Sequence, residues 1–209
     1  MPISKTSQNK FSKLTLQDLV DTFDIKKTDK LTFPNIKTEV NLAKLQEIID
    51  NSKGQIDYWN EQELVMKQLS FVLNLAKLQG TEYNTFAERQ IHANIKGIEL
   101  GGITDFLVAR GFYEPRNPYF FIQEFKKAKN QSGDPLAQLL GEMLVAQELN
   151  SDKQIYGVYV IGKFWTFVSM YDLEFSEEQE LNSTDLQDLQ AIFDNLGGIK
   201  QYIENKFKN

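Results

Sequence analysis

The stretch from Gly101 to Lys129 constrains the fold of this chain most strongly. It contains two runs of apolar, β-branched and aromatic residues, GGITDFLVAR and YFFIQEFKKAK, and the loop between them carries Pro115 and Pro118. Runs of this kind, separated by proline, predict two strands of one sheet. We therefore expect a sheet at the centre of the fold.

Charged residues interrupt the apolar pattern of both predicted strands. Alternation places Asp105 of the first strand, and Glu124 and Lys126 of the second, on faces that are otherwise apolar. The apolar residues on these faces are Ile103, Leu107 and Ala109 in the first strand and Phe120, Ile122 and Ala128 in the second. Burial of an unpaired ionised group costs several kcal/mol, so the three charges indicate either a salt-bridged network or a metal ion. Two carboxylates about 5 Å apart repel by roughly 3 kcal/mol at an effective dielectric constant near 20, and a divalent cation reverses that sign.

Helices are predicted on both sides of this strand pair. Residues 59–78 have the period of a long helix, and its apolar stripe, extended back by one turn, includes Glu61. Glu61 therefore points towards the core, although a first-turn charge that favours the helix dipole explains it equally well. After the strand pair, Asp134 as N-cap and Pro135 at the first helical position begin another helix. Gln138 lies off the apolar stripe of that helix, so a surface amide and a site residue are equally compatible with its position.

Further strands precede and follow these elements. FAERQIHANI alternates as a strand and turns at Gly97 into the first central strand, while QIYGVYVIGKFWTFVSMY predicts a hairpin that turns at Gly162. His92, the only histidine, lies on the polar face of its strand, so we expect a solvated surface residue. The order of elements is helix, three strands, helix, two strands.

The two ends of the chain are predicted to be helical. Thr15 and Asp18 have the spacing of a capping box at the start of a short helix, and a second helix is predicted over residues 42–49. The last residues predict one or two amphipathic helices, interrupted at Gly197 and Gly198.

Composition narrows the possible functions. The chain of 209 residues has no cysteine, which excludes disulfides, thiolate nucleophiles and cysteine-ligated zinc. A formal net charge of −6 argues against a protein that holds nucleic acid by bulk electrostatics, although clustered acidic metal ligands also produce such a charge. No signal peptide or membrane span is predicted, so we expect a cytoplasmic protein without a membrane partner.

The charged residues and the order of elements resemble the PD-(D/E)xK nuclease superfamily. The resemblance rests on Asp105 in ITDFLVA, on Glu124 and Lys126 in IQEFKKAK, and on the following helix with Gln138. It covers about residues 59–172. The same stretch, with WNEQEL, FAERQI, DPLAQLLGEML and YGVYVIGKFWTF, is similar to a group of small uncharacterised bacterial proteins of this superfamily.

The resemblance implies an α/β (α+β) fold with a restriction-endonuclease-like three-layer core, in which helices flank a mixed central sheet in the order αβββαββ. Residues 59–175 would form this core. Residues 1–58 would be an N-terminal helical extension packed on it, and residues 176–209 a C-terminal helical segment.

The resemblance also implies a metal-dependent nuclease that hydrolyses phosphodiester bonds, with DNA as the expected substrate. Asp105, Glu124 and Glu61 would hold Mg²⁺ or Mn²⁺, Lys126 would orient the attacking water and stabilise developing charge, and Gln138 would complete the catalytic group. Many enzymes that cut both strands act as dimers, so the resemblance is compatible with a homodimer, although nothing in the sequence marks an interface. The alternative is a non-catalytic module that binds nucleic acid or protein, which the acidic charge and the lack of a DNA-reading motif favour.

Two departures from the superfamily pattern bear on this assignment. Thr104 precedes Asp105 where the superfamily name has proline, and proline is often absent there. Glu142 stands where the exonuclease-like branch has the tyrosine of its Gln-x-x-x-Tyr pattern, so the chain departs from that branch at this position.

Overall fold

A computed structural model describes residues 9–126 and 133–208. In these residues nine strands form one mixed sheet. The strands are β1 (Asn9–Lys10), β2 (Lys26–Lys27), β3 (Tyr83–Ile95), β4 (Ile98–Arg110), β5 (Arg116–Lys126), β6 (Gln154–Ile161), β7 (Phe164–Tyr171), β8 (Glu174–Glu177) and β9 (Leu181–Asn182). The predicted second central strand extends to Lys129, but Lys127, Ala128 and Lys129 lie outside the described residues.

The helices of the described chain lie before, between and after the long strands. They are α1 (Leu16–Phe23), α2 (Leu42–Ser52), α3 (Glu61–Leu64), α4 (Ser70–Ala76), α5 (Pro135–Asn150) and α6 (Leu186–Lys208). A π-helical turn over Val65–Leu69 joins α3 to α4, so the three pieces form one helix where the sequence predicts one. No helix in the part of the chain that the structure describes is long and apolar enough to span a membrane.

The strands are connected as the turn residues indicate. Lys96 and Gly97, both in the left-handed backbone region, close a long antiparallel hairpin of β3 and β4. β5 pairs antiparallel with β4 on one side and parallel with β6 on the other, because α5 carries the chain between β5 and β6. β6 and β7 form the predicted hairpin at Gly162. The predicted mixed sheet with helices is therefore confirmed.

Apolar residues cover both faces of the sheet. On one face, residues of α2, α4 and α6 such as Leu45, Val72 and Leu196 pack on alternate strand residues, which include Phe121. On the other face, α5 and the N-terminal segment pack together, and α5 is buried continuously from Ala137 to Ala146. The sheet therefore lies between two helical layers, each with its own hydrophobic cluster.

The N-terminal segment contains more than the predicted helices. The capping box of Thr15 and Asp18 forms as predicted at the start of α1. In addition, β1 and β2 join the central sheet beside β4 and β8, and Phe11 is buried in the cluster under α5. The residues before 59 thus contribute to the sheet itself, and the boundaries at residues 58 and 175 stay predictions.

The C-terminal helix α6 runs without a break through Gly197 and Gly198, where the sequence predicts an interruption. The segment of residues 34–38 crosses the helix at this point. Thr38 donates hydrogen bonds from its backbone N–H and its hydroxyl to Asp194 of α6, at 2.8 and 2.7 Å. A Cβ at Gly198 would overlap the carbonyl group of Pro34. The two glycines therefore permit close contact between helix and segment, and they do not end the helix.

We expect Gly198→Ala to lower the free energy of unfolding by about 2 kcal/mol. Alanine favours a helix over glycine by about 1 kcal/mol, but the new methyl group would meet backbone atoms of Pro34 that cannot rotate away. Urea unfolding of the purified variant measures the change. Gln201→Ala, at an exposed position of the same helix, is the control and should stay within about 0.5 kcal/mol of wild type. A Gly198→Ala protein as stable as wild type would mean that the segment can move off α6.

Candidate active site at the fork between two strands

Asp105 and Glu124 meet where β4 and β5 separate. The pairing of these strands ends at Phe106 and Gln123, and the next residues in register are Asp105 and Glu124. β1 pairs with the same edge of β4 only at residues 100–101, so residues 102–105 face a gap between β1 and β5. The Oδ2 atom of Asp105 accepts a hydrogen bond of 2.8 Å from the backbone N–H of Phe125, which fixes this carboxylate across the fork.

Ile103, two residues before Asp105, is not buried as expected for the inward face of β4. Leu107 and Ala109 are buried as predicted, but Ile103 is 60% exposed. It lies in the section of β4 that β5 does not pair with. The inward face therefore opens to solvent at Asp105.

Glu124 is a carboxylate without access to water. Its side chain is fully buried, and burial followed by the charge of Asp105 raises the pKa of Glu124 to about 8. Burial also raises the pKa of Asp105, although the Phe125 N–H and Lys126 oppose this shift. The direct interaction of the two carboxyl groups opposes the upward shift of the Asp105 pKa and adds to that of the Glu124 pKa. One proton or one additional positive charge would therefore stabilise the pair.

Lys126 supplies part of that positive charge. Its Nζ atom lies 2.6 Å from Oε1 of Glu124, and its side chain is 18% exposed. Burial opposes the charged form of Lys126, but the carboxylates of Glu124, Asp105 and Glu61 together raise its pKa above the ordinary value. The ammonium group is therefore charged and faces all three predicted metal ligands.

Glu61 reaches this group from the helical layer. It is the first residue of α3, and burial raises its pKa, while Lys126 lowers it and Asp105 raises it further. Glu63, two residues later, instead accepts the backbone N–H of Asn60 in a capping box and binds Lys67 at 2.8 Å. The structure thus directs Glu61 towards Asp105 and Lys126, and Glu63 towards the helix start.

Gln138 and Glu142 approach from α5. Gln138 is buried, so the interpretation as a surface amide is wrong, and its side chain lies beside that of Glu142. Glu142 is fully buried, and burial, then Glu124 and Asp105, raise its pKa well above the ordinary value. The sequence analysis did not place Glu142 in the site. The available signal was its spacing of four residues from Gln138, which puts both on one side of the helix.

Glu88 is a further acidic residue that the sequence analysis did not identify. Ala87 pairs with Phe106 and Arg89 with Thr104, so Glu88 lies opposite Asp105 on β3. Its φ of 51° is in the left-handed region, which is uncommon for a residue other than glycine. The charge of Glu88 adds to the upward shift that burial gives the pKa of Asp105.

A cleft of about 720 Å³ leads to Asp105 between the α3–α4 helix and the β3–β4 hairpin. Its lining includes three acidic side chains and one basic one, Glu61, Glu88, Asp105 and Arg89. Apolar side chains of Val65, Met66 and Phe125 form much of the remaining wall. A phosphate that entered this cleft would meet more negative than positive charge.

The donor set suits a hard divalent cation. Carboxylate oxygens are the preferred protein ligands of Mg²⁺ and Mn²⁺, and the fully buried Glu124 has an unfavourable charge in the absence of a cation. Within residues 9–126 and 133–208, no group of three or more acidic, His or Cys side chains already has the arrangement of a metal site. Asp105, Glu124 and Glu61 therefore fit the cation in chemistry, and their side chains would have to adjust to hold it.

Comparison with known proteins does not assign this site. No protein-family model and no curated protein matches the chain. One similar solved structure is described as the crystal structure of SSO0001. It is 14% identical, the match covers 80% of this chain and 78% of that one, and the TM-score is 0.24. A likeness at this level says nothing about function, so the proposal below rests on the site.

Proposed function

We propose that the protein is a metal-dependent nuclease that hydrolyses phosphodiester bonds of DNA on a restriction-endonuclease-like core. The observation that carries the proposal is the meeting of Asp105, Glu124 and Lys126 at the fork of β4 and β5, where the cleft opens. The superfamily resemblance of these three residues supports the same reaction. DNA as substrate rests on the resemblance alone, which is also compatible with a homodimer.

The charge balance favours a cation site over a structural salt bridge. A salt-bridged network would pair each carboxylate with a positive group of its own. Here three carboxylates, those of Asp105, Glu124 and Glu142, share the ammonium group of Lys126. Burial, followed by the charge of Asp105, raises the pKa of Glu124 to about 8. A divalent cation held by Asp105 and Glu124 would remove the excess of negative charge, and Glu61 would approach it from α3.

The residues of the chain have distinct parts in the proposed reaction. Asp105, held by the Phe125 N–H, and Glu124 would hold the cation. When bound, the cation would lower the pKa of the attacking water and offset the charge of the phosphate. The ammonium of Lys126 would orient the water and stabilise the negative charge that develops on the phosphoryl oxygens. The Gln138 amide is near enough to Glu142 to favour its charged form, so Gln138 would act as a positioning residue.

The test is cleavage of labelled single- and double-stranded DNA and RNA with Mg²⁺, Mn²⁺ or EDTA. We expect wild type to cut DNA with a cation and not with EDTA, and Asp105→Ala and Lys126→Ala to lose the activity while they stay folded. Absence of cleavage with every substrate, together with no Mn²⁺ binding by calorimetry, would contradict the proposal. That result would favour the non-catalytic binding module.

A further inference from the structure

Glu142, like Glu124, is a fully buried acidic group near the fork, and it has no part in the proposed reaction. Its side chain is fully buried on α5, and no donor in the described chain reaches either carboxylate oxygen with hydrogen-bond geometry. The Gln138 amide is near enough to favour the charged form of Glu142. Groups of this kind are rare in folded proteins and are usually protonated, paired or bound to a metal.

The position of α5 directs Glu142 to the fork. The helix packs across β5 and β6, where Leu139 and Met143 lie against Gly157. Glu142 precedes Met143 by one residue. After burial, the charges of Glu124 and Asp105 contribute most to the raised pKa of Glu142. Glu142 therefore faces the same carboxylate pair that the proposed cation would bind, but from the α5 side, whereas Glu61 approaches from the side of α3.

We propose that Glu142 is a third carboxylate ligand of the divalent cation, supplied by α5. This inference rests on the proposed function, because it concerns the same cation. Glu124 and Glu142 are fully buried and Asp105 is partly buried, and a divalent cation with the Lys126 ammonium balances the three negative charges of these carboxylates.

Calorimetric titration of the full-length protein with Mn²⁺ tests this assignment. We expect Glu142→Gln to weaken Mn²⁺ binding by about tenfold or more, because it removes one charged oxygen ligand and keeps the shape of the side chain. Asp105→Asn should weaken binding as well. Glu148→Gln, at an exposed position of the same helix, is the matched control and should bind Mn²⁺ like wild type.

The melting temperature gives a second measurement that does not depend on activity. Mn²⁺ should raise the melting temperature of wild type and raise that of Glu142→Gln much less. Circular dichroism checks that each variant is folded. Should Glu142→Gln fail to fold, Glu142→Asp serves instead. If Glu142 is a ligand, the shorter carboxylate should weaken Mn²⁺ binding. If Glu142 is only a buried acid, Mn²⁺ binding should not change.

The possible results separate the two proposals. Wild-type affinity in Glu142→Gln, together with weakened binding in Asp105→Asn, would overturn the role of Glu142 and leave the nuclease proposal standing. Absence of Mn²⁺ binding in wild type itself would count against the cation site, and the role of Glu142 would then fall with it.

Discussion

Lys126→Met should slow cation-dependent cleavage by about 10²- to 10³-fold and leave cation binding intact. The ammonium group lies 2.6 Å from Oε1 of Glu124 and faces Asp105 and Glu61, so it sits where negative charge would develop on a phosphate. Methionine keeps much of the length of the side chain and removes the charge. Since Lys126 and the proposed cation would compete for Glu124, Mn²⁺ binding should be equal or tighter in the variant. Single-turnover cleavage rates and calorimetry measure the two effects separately.

Lys206→Met is the control for this experiment. Lys206 also forms an ion pair, 3.0 Å from Asp152, but it lies on α6, away from the fork. Its variant should cleave at the wild-type rate. Two outcomes would contradict the role of Lys126: an unchanged cleavage rate, or loss of Mn²⁺ binding together with cleavage, which would show that the lysine only supports the structure of the site.

The sequence predicts the main elements of the fold because their signals are local. Gly97 and Gly162 mark the tight turns of two hairpins, and Asp134 with Pro135 marks the start of α5. The two-residue strands β1 and β2 leave no such signal, since two residues are too few for an alternating pattern. Their pairing depends on contacts with distant parts of the sheet.

The sequence predicts which residues form the charged group, but it does not determine their pairing. Register shifts lie between Val108 and Arg110, close to the loop that joins β4 to β5. Continued without these shifts, the pair of Arg110 and Arg116 would place Phe121 opposite Asp105. The shifts place Glu124 there instead. Because they change the register by an odd number of residues, they also exchange the face of β5 that lies beside Asp105. Loop geometry of this kind cannot be read from strand patterns.

Burial of α5 explains why Gln138 was ambiguous and Glu142 was missed. The apolar stripe of a helix predicts one buried and one exposed face, and both residues lie off that stripe. In the structure the sheet covers one side of α5, and Phe11 and Leu14 cover Gly141 on another. The polar positions are therefore internal as well. Two polar side chains four residues apart in an otherwise apolar helix were the usable signal.

The metal-free protein should lose stability as the pH rises from about 5 to about 8, and Glu124→Gln should reduce that loss. The pKa of Glu124 is raised from 4.5 to about 8, so between these values the folded state holds a proton that the unfolded state has released. Stability therefore falls with rising pH, by about 1.4 kcal/mol per pH unit for one proton. The proton of Glu124 alone should make urea unfolding in EDTA differ by roughly 3 kcal/mol between about pH 5.5 and about pH 7.5, and the raised pKa values of Asp105 and Glu142 add to this difference in wild type.

Glutamine keeps the shape of Glu124 and cannot ionise, so the pH dependence of the variant should be weaker by most of that amount. Some dependence should remain, because the pKa values of Asp105 and Glu142 are raised as well. If the free energy of unfolding of wild type did not change with pH, Lys126 alone would hold Glu124 in its charged form. The same measurement with saturating Mn²⁺ tests the cause of the effect. A cation at the fork favours the charged carboxylates and should abolish the loss of stability in wild type, whereas a purely structural charge network would keep it.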